Sequence, residues 1–188
     1  MGRPKPLLPI DGETFLGHLV AELAASRATR TVVVLGHGAR DILAAMPEVA
    51  HLVVLNHNYA LGQLSSLQVG LDAAGNPEAI LMCLVDHPFI RREVVDQVID
   101  AFESTQRPIV IPTHEGRRGH PTLFARPLFA ELRAASLDQG ARMVVRAHQE
   151  EILDLPIDDE EILADLDTPE QYQAWLARRG SAAQPSGS

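Results

Sequence analysis

Apolar and polar positions along this 188-residue chain fall into two alternating rhythms. Four short runs are apolar at nearly every position: TVVVLG (31–36), HLVVLN (51–56), AILMCLVD (79–86) and IVIP (109–112). A strand that is apolar on both faces belongs in a sheet covered by helices on both sides. PTLFA (121–125) and EILDLPI (151–157) are shorter, more polar strand candidates. Between these runs, apolar positions recur at helical spacing over 14–27, 39–46, 64–74, 91–104, 127–135, 139–149 and 169–178. The last helix has a clear start, with Thr168 as N-cap, Pro169 at the first helical position and Gln171 completing a capping box. Strands alternating with helices predict an α/β sandwich with a largely parallel sheet. The final stretch GSAAQPSGS (180–188) is small, polar and unpatterned, and is expected to be disordered. No internal repeat or dividing linker is visible, so residues 1–179 read as one domain.

One feature departs from this pattern. A doubly wound sheet normally opens with a strand, a ligand-binding loop and a helix. Here the first helix comes at about residue 14, after MGRPKPLLPIDG, and no strand candidate precedes it. Lys5, between Pro4 and Pro6, is the chain's only lysine; the other fifteen basic residues are arginine.

Composition narrows the functional classes. The net charge of -9 is spread along the chain, which argues against a nucleic-acid surface. Cys83 stands alone inside an apolar run and reads as a buried core thiol; the lack of disulfides fits a reducing cytoplasm. No apolar run reaches the ~18 residues of a transmembrane helix, and no secretory pattern marks the N-terminus. VVVLGHGARDIL imitates a dinucleotide fingerprint, but Asp41 stands at the third glycine position and Asn56 where an acidic residue should end the next strand.

Five segments could carry chemistry. In LVDHP (84–88), Asp86 ends a strand where α/β sheets bind ligands; it either holds a hard cation such as Mg²⁺ or only forms the turn. In ILADLDTPE (162–170), Asp165 and Asp167 are two apart and face one side when extended; Asp167 alternatively only complements the following helix dipole. In NHNYALGQLSSLQVGL (56–71), Asn56, Gly62, Ser65 and Ser66 surround a strand-to-helix loop. It could hold a base or an anion, or one serine could be only a cap. EGRRGHP (115–121) places Arg117, Arg118, Gly119 and His120 between strands, either as a phosphate clamp or as a solvated turn. LDQGAR (137–142) offers Asp138 as an N-cap and Arg142 as either a helix-start residue or a second phosphate contact.

Taken in order, MGRPKPLLP, NxxYxxGxxSSL, DHP, GRRGHP, DxGAR and DLDTPE resemble the MobA-like NTP transferases, close to the molybdenum cofactor cytidylyltransferases. The resemblance spans Gly2 to about Trp175. It implies a Rossmann-like three-layer α/β fold of the nucleotide-diphospho-sugar transferase type, with a mostly parallel sheet. The first strand and most of the family's glycine-rich loop are absent, since Met1-Gly2 match only that loop's end. The implied activity is an Mg²⁺-dependent transfer of CMP, or of GMP, from CTP or GTP to a phosphate monoester of the molybdopterin type, with release of pyrophosphate. Lys5 matches the family's phosphate-contacting lysine, Asp86 the metal-ligand aspartate, and Asp165 or Asp167 the second one. Asn56, Gly62, Ser65 and Ser66 fall at the nucleotide, and Arg117, Gly119, His120 and Arg142 at the acceptor. The expected setting is cytoplasmic, with no nucleic-acid or membrane partner. A non-catalytic alternative is a transferase-like domain that binds the cofactor or a molybdoenzyme during its maturation.

Overall fold

A computed structural model of the chain describes residues 4–182. After a 3₁₀ turn at Lys5–Leu7, the elements are β1 (Pro9–Ile10), β2 (Glu13–Thr14), α1 (Phe15–Ala25), β3 (Val33–Leu35), α2 (Ala39–Ala45), β4 (Val53–Leu55), α3 (Gln63–Ala74) and β5 (Ala79–Met82). There follow α4 (Arg92–Thr105), β6 (Ile109–His114), β7 (Arg117–Arg118), β8 (Thr122–Ala125), α5 (Phe129–Ala134), α6 (Arg142–Ala147), β9 (Ile152–Pro156) and α7 (Pro169–Ala182). All six predicted strands and all seven predicted helices are present, but α1 is preceded by a short antiparallel pair, β1 with β2, where the sequence showed no strand candidate.

The main sheet runs β5-β8-β6-β7, with β9 on β6. β5 and β6 are each antiparallel to β8, and β9 is parallel to β6. β5, β6 and β9 therefore share one direction, and β8 runs against them between β5 and β6. β3 and β4 form a separate parallel pair. Among the described residues, no strand pairs with the other edge of β3 or of β5.

α1 and α3 connect the two sheets. Leu16 of α1 packs with Val33 and Leu35, whereas Leu19 and Leu23 pack with Leu81, Cys83 and Val85. On α3, Gly70 faces Val34, and Leu64 and Leu71 share a cluster with Ile80 and Met82. The apolar run 79–86 predicts a fully buried strand. Its ladder instead ends at Met82, and all four residues of β5 are half-buried because one edge has no neighbour. β6, flanked on both sides, is buried at five consecutive positions.

Helix boundaries separate cap chemistry that forms from cap chemistry that does not. At α7, the Gln171 N–H donates to Thr168 Oγ1 (3.2 Å) and the Thr168 N–H donates to Gln171 Oε1 (2.7 Å), the expected capping box. α7 runs through Ala182 and so takes in residues 180–182 of the expected tail. Positions 183–188 lie outside the described residues, as do Met1 and Gly2. Asp138 does not cap a helix: its carboxylate accepts from the Ser136 hydroxyl, and α6 starts later, at Arg142, with Ala141 as N-cap. Among the described residues, no helix is long and apolar enough to cross a membrane.

Candidate active site

Three parts of the chain far apart in sequence meet over one apolar cluster. Leu8, Ile10, Phe15, Phe89, Leu166, Tyr172 and Trp175 are buried together. The cluster joins the N-terminal segment, the turn after β5, the strand-like run before α7, and α7 itself. The Tyr172 hydroxyl donates to the Pro9 carbonyl at 2.7 Å and pins α7 to β1.

This platform places the acidic groups. The Leu166 N–H donates to the Asp86 carbonyl at 2.9 Å. Leu166 points into the cluster, so Asp165 and Asp167 on either side of it point out together, as their spacing predicts. One oxygen each from Asp86, Asp165 and Asp167 lies within 4.8 Å of the others. Asp86 Oδ1 is buried without a hydrogen-bond partner. A buried carboxylate oxygen left unpaired is costly, and a divalent cation held by oxygen ligands would satisfy it. The three carboxylates therefore fit a hard metal ion. Partial burial, and next the neighbouring Asp167 and Asp86, hold the Asp165 carboxyl above its ordinary range. Asp167 is held below its range by Lys5, whose Nζ donates to Asp167 Oδ1 at 2.5 Å.

Two residues unmarked in the sequence position this cluster from behind. Arg91 donates to buried Asp159 at 2.6 Å, and Asp159 also accepts from the Glu161 N–H at 3.0 Å. This fixes the turn at Glu160–Leu163 against the start of α4, two residues before Asp165.

His120 reaches the same region from the β7–β8 connection. Its ring lies 4.3 Å from that of His87, and the Nδ1 atoms of both are buried without a partner. Burial, and next the adjacent His87, push the His120 pKa down to about 4. Between about pH 6.5 and 4 the unfolded chain then holds a proton at His120 that the folded chain does not, so acidification favours unfolding. We expect this group to cost on the order of 2 kcal/mol between neutral pH and pH ~4.5. In urea unfolding, His120→Gln should lose less stability over that window than the wild type.

Gly119 is buried, and a Cβ there would lie 2.4 Å from the Ile162 carbonyl oxygen. Arg117 and Arg118 form β7, paired with the end of β6 across a two-residue turn in which Glu115 and Gly116 both have positive φ. Arg118 donates twice to Asp154 on β9, at 2.6 and 2.9 Å. Arg117 and Arg142 are not buried.

The segment expected at the nucleotide is internally bonded. Asn56 is 2% exposed. Its Nδ2 donates to Ser65 Oγ (2.8 Å) and Ser66 Oγ (3.0 Å), and its Oδ1 accepts from the Asn58 N–H (2.9 Å). The Ser65 hydroxyl donates to the Gly62 carbonyl at 2.7 Å. α3 begins at Gln63 with exposed Gly62 as its N-cap at φ 98°, so the serines lie inside the first turn and do not open the helix. Asn56→Ala would strand three partners. It should cost about 2 kcal/mol, read as a lower urea midpoint at unchanged slope. Gly36, of the imitation fingerprint, is spent on packing: a Cβ there would lie 2.3 Å from Tyr59.

The MobA-like NTP transferase domain matches residues 1–152. The chain belongs to this family. The MobA-like chain is 30% identical over 190 residues to nicotine blue oxidoreductase of Paenarthrobacter nicotinovorans, a match covering 94% of this chain and 90% of that protein. It is 22% identical over 173 residues to the molybdenum cofactor cytidylyltransferase of Escherichia coli K12, covering 92% and 86%. The manganese complex of Rv0371c from Mycobacterium tuberculosis superposes with a TM-score of 0.80 at 26% identity, covering 93% and 91%. The fold is that of the nucleotide-diphospho-sugar transferases, an α/β sandwich whose sheet carries strands of both directions.

Proposed function

We propose that this MobA-like protein transfers a nucleoside monophosphate, CMP in preference to GMP, to a phosphate monoester of the molybdopterin type. An acceptor oxygen attacks the α-phosphorus of the triphosphate, the bond to the bridging oxygen of the β-phosphate breaks, and pyrophosphate leaves. The observation that carries the proposal is the convergence of Asp86, Asp165 and Asp167 beside Lys5. Phosphoryl chemistry of this kind depends on positioning and charge neutralisation more than on covalent groups.

Asp86, Asp165 and Asp167 would hold Mg²⁺ or Mn²⁺, which when bound neutralises charge on the reacting phosphates. The manganese complex of the similar protein Rv0371c supports that choice of cation. Lys5 adds a compact ammonium for the triphosphate. Asn56, Ser65 and Ser66 hold the shape of the loop beside the nucleotide, with Gly62 turning it into α3. Arg117, Gly119, His120 and Arg142 form the acceptor side; Arg117 and Arg142 supply charge there, while Gly119 sets the position of His120. Residues 1–179 form one nucleotidyltransferase domain.

The test is pyrophosphate release by the full chain, with CTP or GTP, molybdopterin and Mg²⁺ or Mn²⁺. Release that depends on both acceptor and cation is expected. The name of the 30%-identical relative favours a second, oxidoreductase reading. Redox turnover of the acceptor without pyrophosphate would establish it over ours. Acceptor binding with neither reaction would point to a maturation protein for a molybdoenzyme.

A further inference from the structure

The three-carboxylate cluster already has a cation against it, and that cation belongs to the chain. Lys5 Nζ contacts Asp167 Oδ1 across 162 residues of sequence. The contact is not a chance reach of a loose side chain. The backbone is fixed by Pro4 and Pro6, by a Leu7 N–H to Pro4 carbonyl bond of 2.9 Å and by a Leu8 N–H to Lys5 carbonyl bond of 3.0 Å. Leu8 is buried in the same platform as Leu166, the residue before Asp167. Both ends of the ion pair are thus anchored to one core. The Lys5 side chain is 29% exposed and that of Asp167 is 56% exposed, so the pair lies at the water-facing side of the cluster.

Asp167 lies among the three carboxylates that converge within 4.8 Å. A divalent cation using its oxygen would stand next to the ammonium, and the two positive charges would repel. We propose that Lys5 is a built-in counter-ion of the carboxylate cluster, which a divalent cation displaces from Asp167, freeing the ammonium to meet an anionic substrate. This rests on the metal-dependent transferase reading above. It adds an exchange: one side chain guards the cation site when empty and serves the phosphate site when it is filled. Ordered use of the two sites follows, cation first and released ammonium second.

Because Lys5 is the chain's only lysine, reductive ¹³C-methylation of the full chain places an NMR probe on it and on the terminal amine. Lys5→Arg identifies the terminal signal. On titration with Mg²⁺ alone, the Lys5 signal should move saturably toward its position in Asp167→Asn protein without Mg²⁺. Without nucleotide, Lys5→Met should bind Mn²⁺ more tightly than the wild type, by up to about fivefold given the modest strength of exposed ion pairs. Lys5→Arg, which keeps the charge, should stay closer to the wild type. Cation binding that leaves the Lys5 signal in place, or Mn²⁺ affinity unchanged or weaker in Lys5→Met, overturns the exchange and spares the metal site. Failure of wild type and Lys5→Met alike to bind Mn²⁺ or Mg²⁺ overturns both.

Discussion

Asp86→Ala should reduce pyrophosphate release by about a thousandfold or more while leaving the fold intact. Removing a group that helps neutralise transition-state charge costs about 10²–10³ in rate, and loss of a metal ligand adds to that. The effect on stability should be unusually small for a site so near the core. Asp86 Oδ1 is buried and makes no hydrogen bond, so the substitution strands no partner of that atom and removes a costly one. The tie between Asp86 and Leu166 uses the backbone carbonyl and survives the change. Turnover and thermal unfolding measured on the same preparation check both halves. Unchanged turnover would remove Asp86 from the metal site.

Gly119→Ala should do the opposite, lowering stability first and activity as a consequence. The new methyl carbon would be placed 2.4 Å from the Ile162 carbonyl oxygen and 2.9 Å from its carbon, and both are backbone atoms that cannot swing aside. The next residue, His120, donates its N–H to that same oxygen at 3.0 Å. Relief of the clash must therefore separate the β7–β8 connection from the turn at Glu160–Leu163, and with it His120 from its place. We expect a loss of about 3 kcal/mol, measured by urea unfolding. A glycine matched by resemblance to the acceptor side is in this chain first a packing requirement.

Much of the architecture was legible because it rests on local rules. Continuous apolar runs marked the sheet strands, helical spacing marked the helices, and Thr168 with Gln171 announced the start of α7. Where local rules misled, a competing contact, a backbone turn or a missing neighbour prevailed. Asp138 had the chemistry of an N-cap but is turned toward Ser136. Ser65 or Ser66 had the chemistry of a helix cap, but Gly62 takes the N-cap position at φ 98° and leaves both serines inside the first turn. The run 79–86 looked like a fully buried strand, but burial depends on having neighbours at both edges, which local sequence does not encode.

The site divides in the same way. The pairing of Asp165 with Asp167 follows from spacing, whereas Asp86 sits in the turn four residues past the end of β5 and not at the strand end the apolar run suggested. What joins them was not legible. Lys5 meets Asp167 across the whole chain, His87 meets His120 through a crossover, and Arg91 fixes Asp159 from another element. Each is a long-range contact between residues whose local context is ordinary. Resemblance supplied Lys5 as a phosphate contact, but only the assembled platform shows it bonded to a carboxylate.

That platform also gives the protein an optical handle. Trp175 is the chain's single tryptophan, and its ring lies 4.6 Å from Phe89, three residues beyond Asp86, and 6.3 Å from Tyr172. Its indole thus shares one apolar layer with the segments that carry the acidic residues and the lysine. Intrinsic fluorescence, which in larger proteins averages over many indoles, here comes from one reporter seated beneath the three-carboxylate cluster, so cation binding at the proposed site should register as a change in its emission in unlabelled protein.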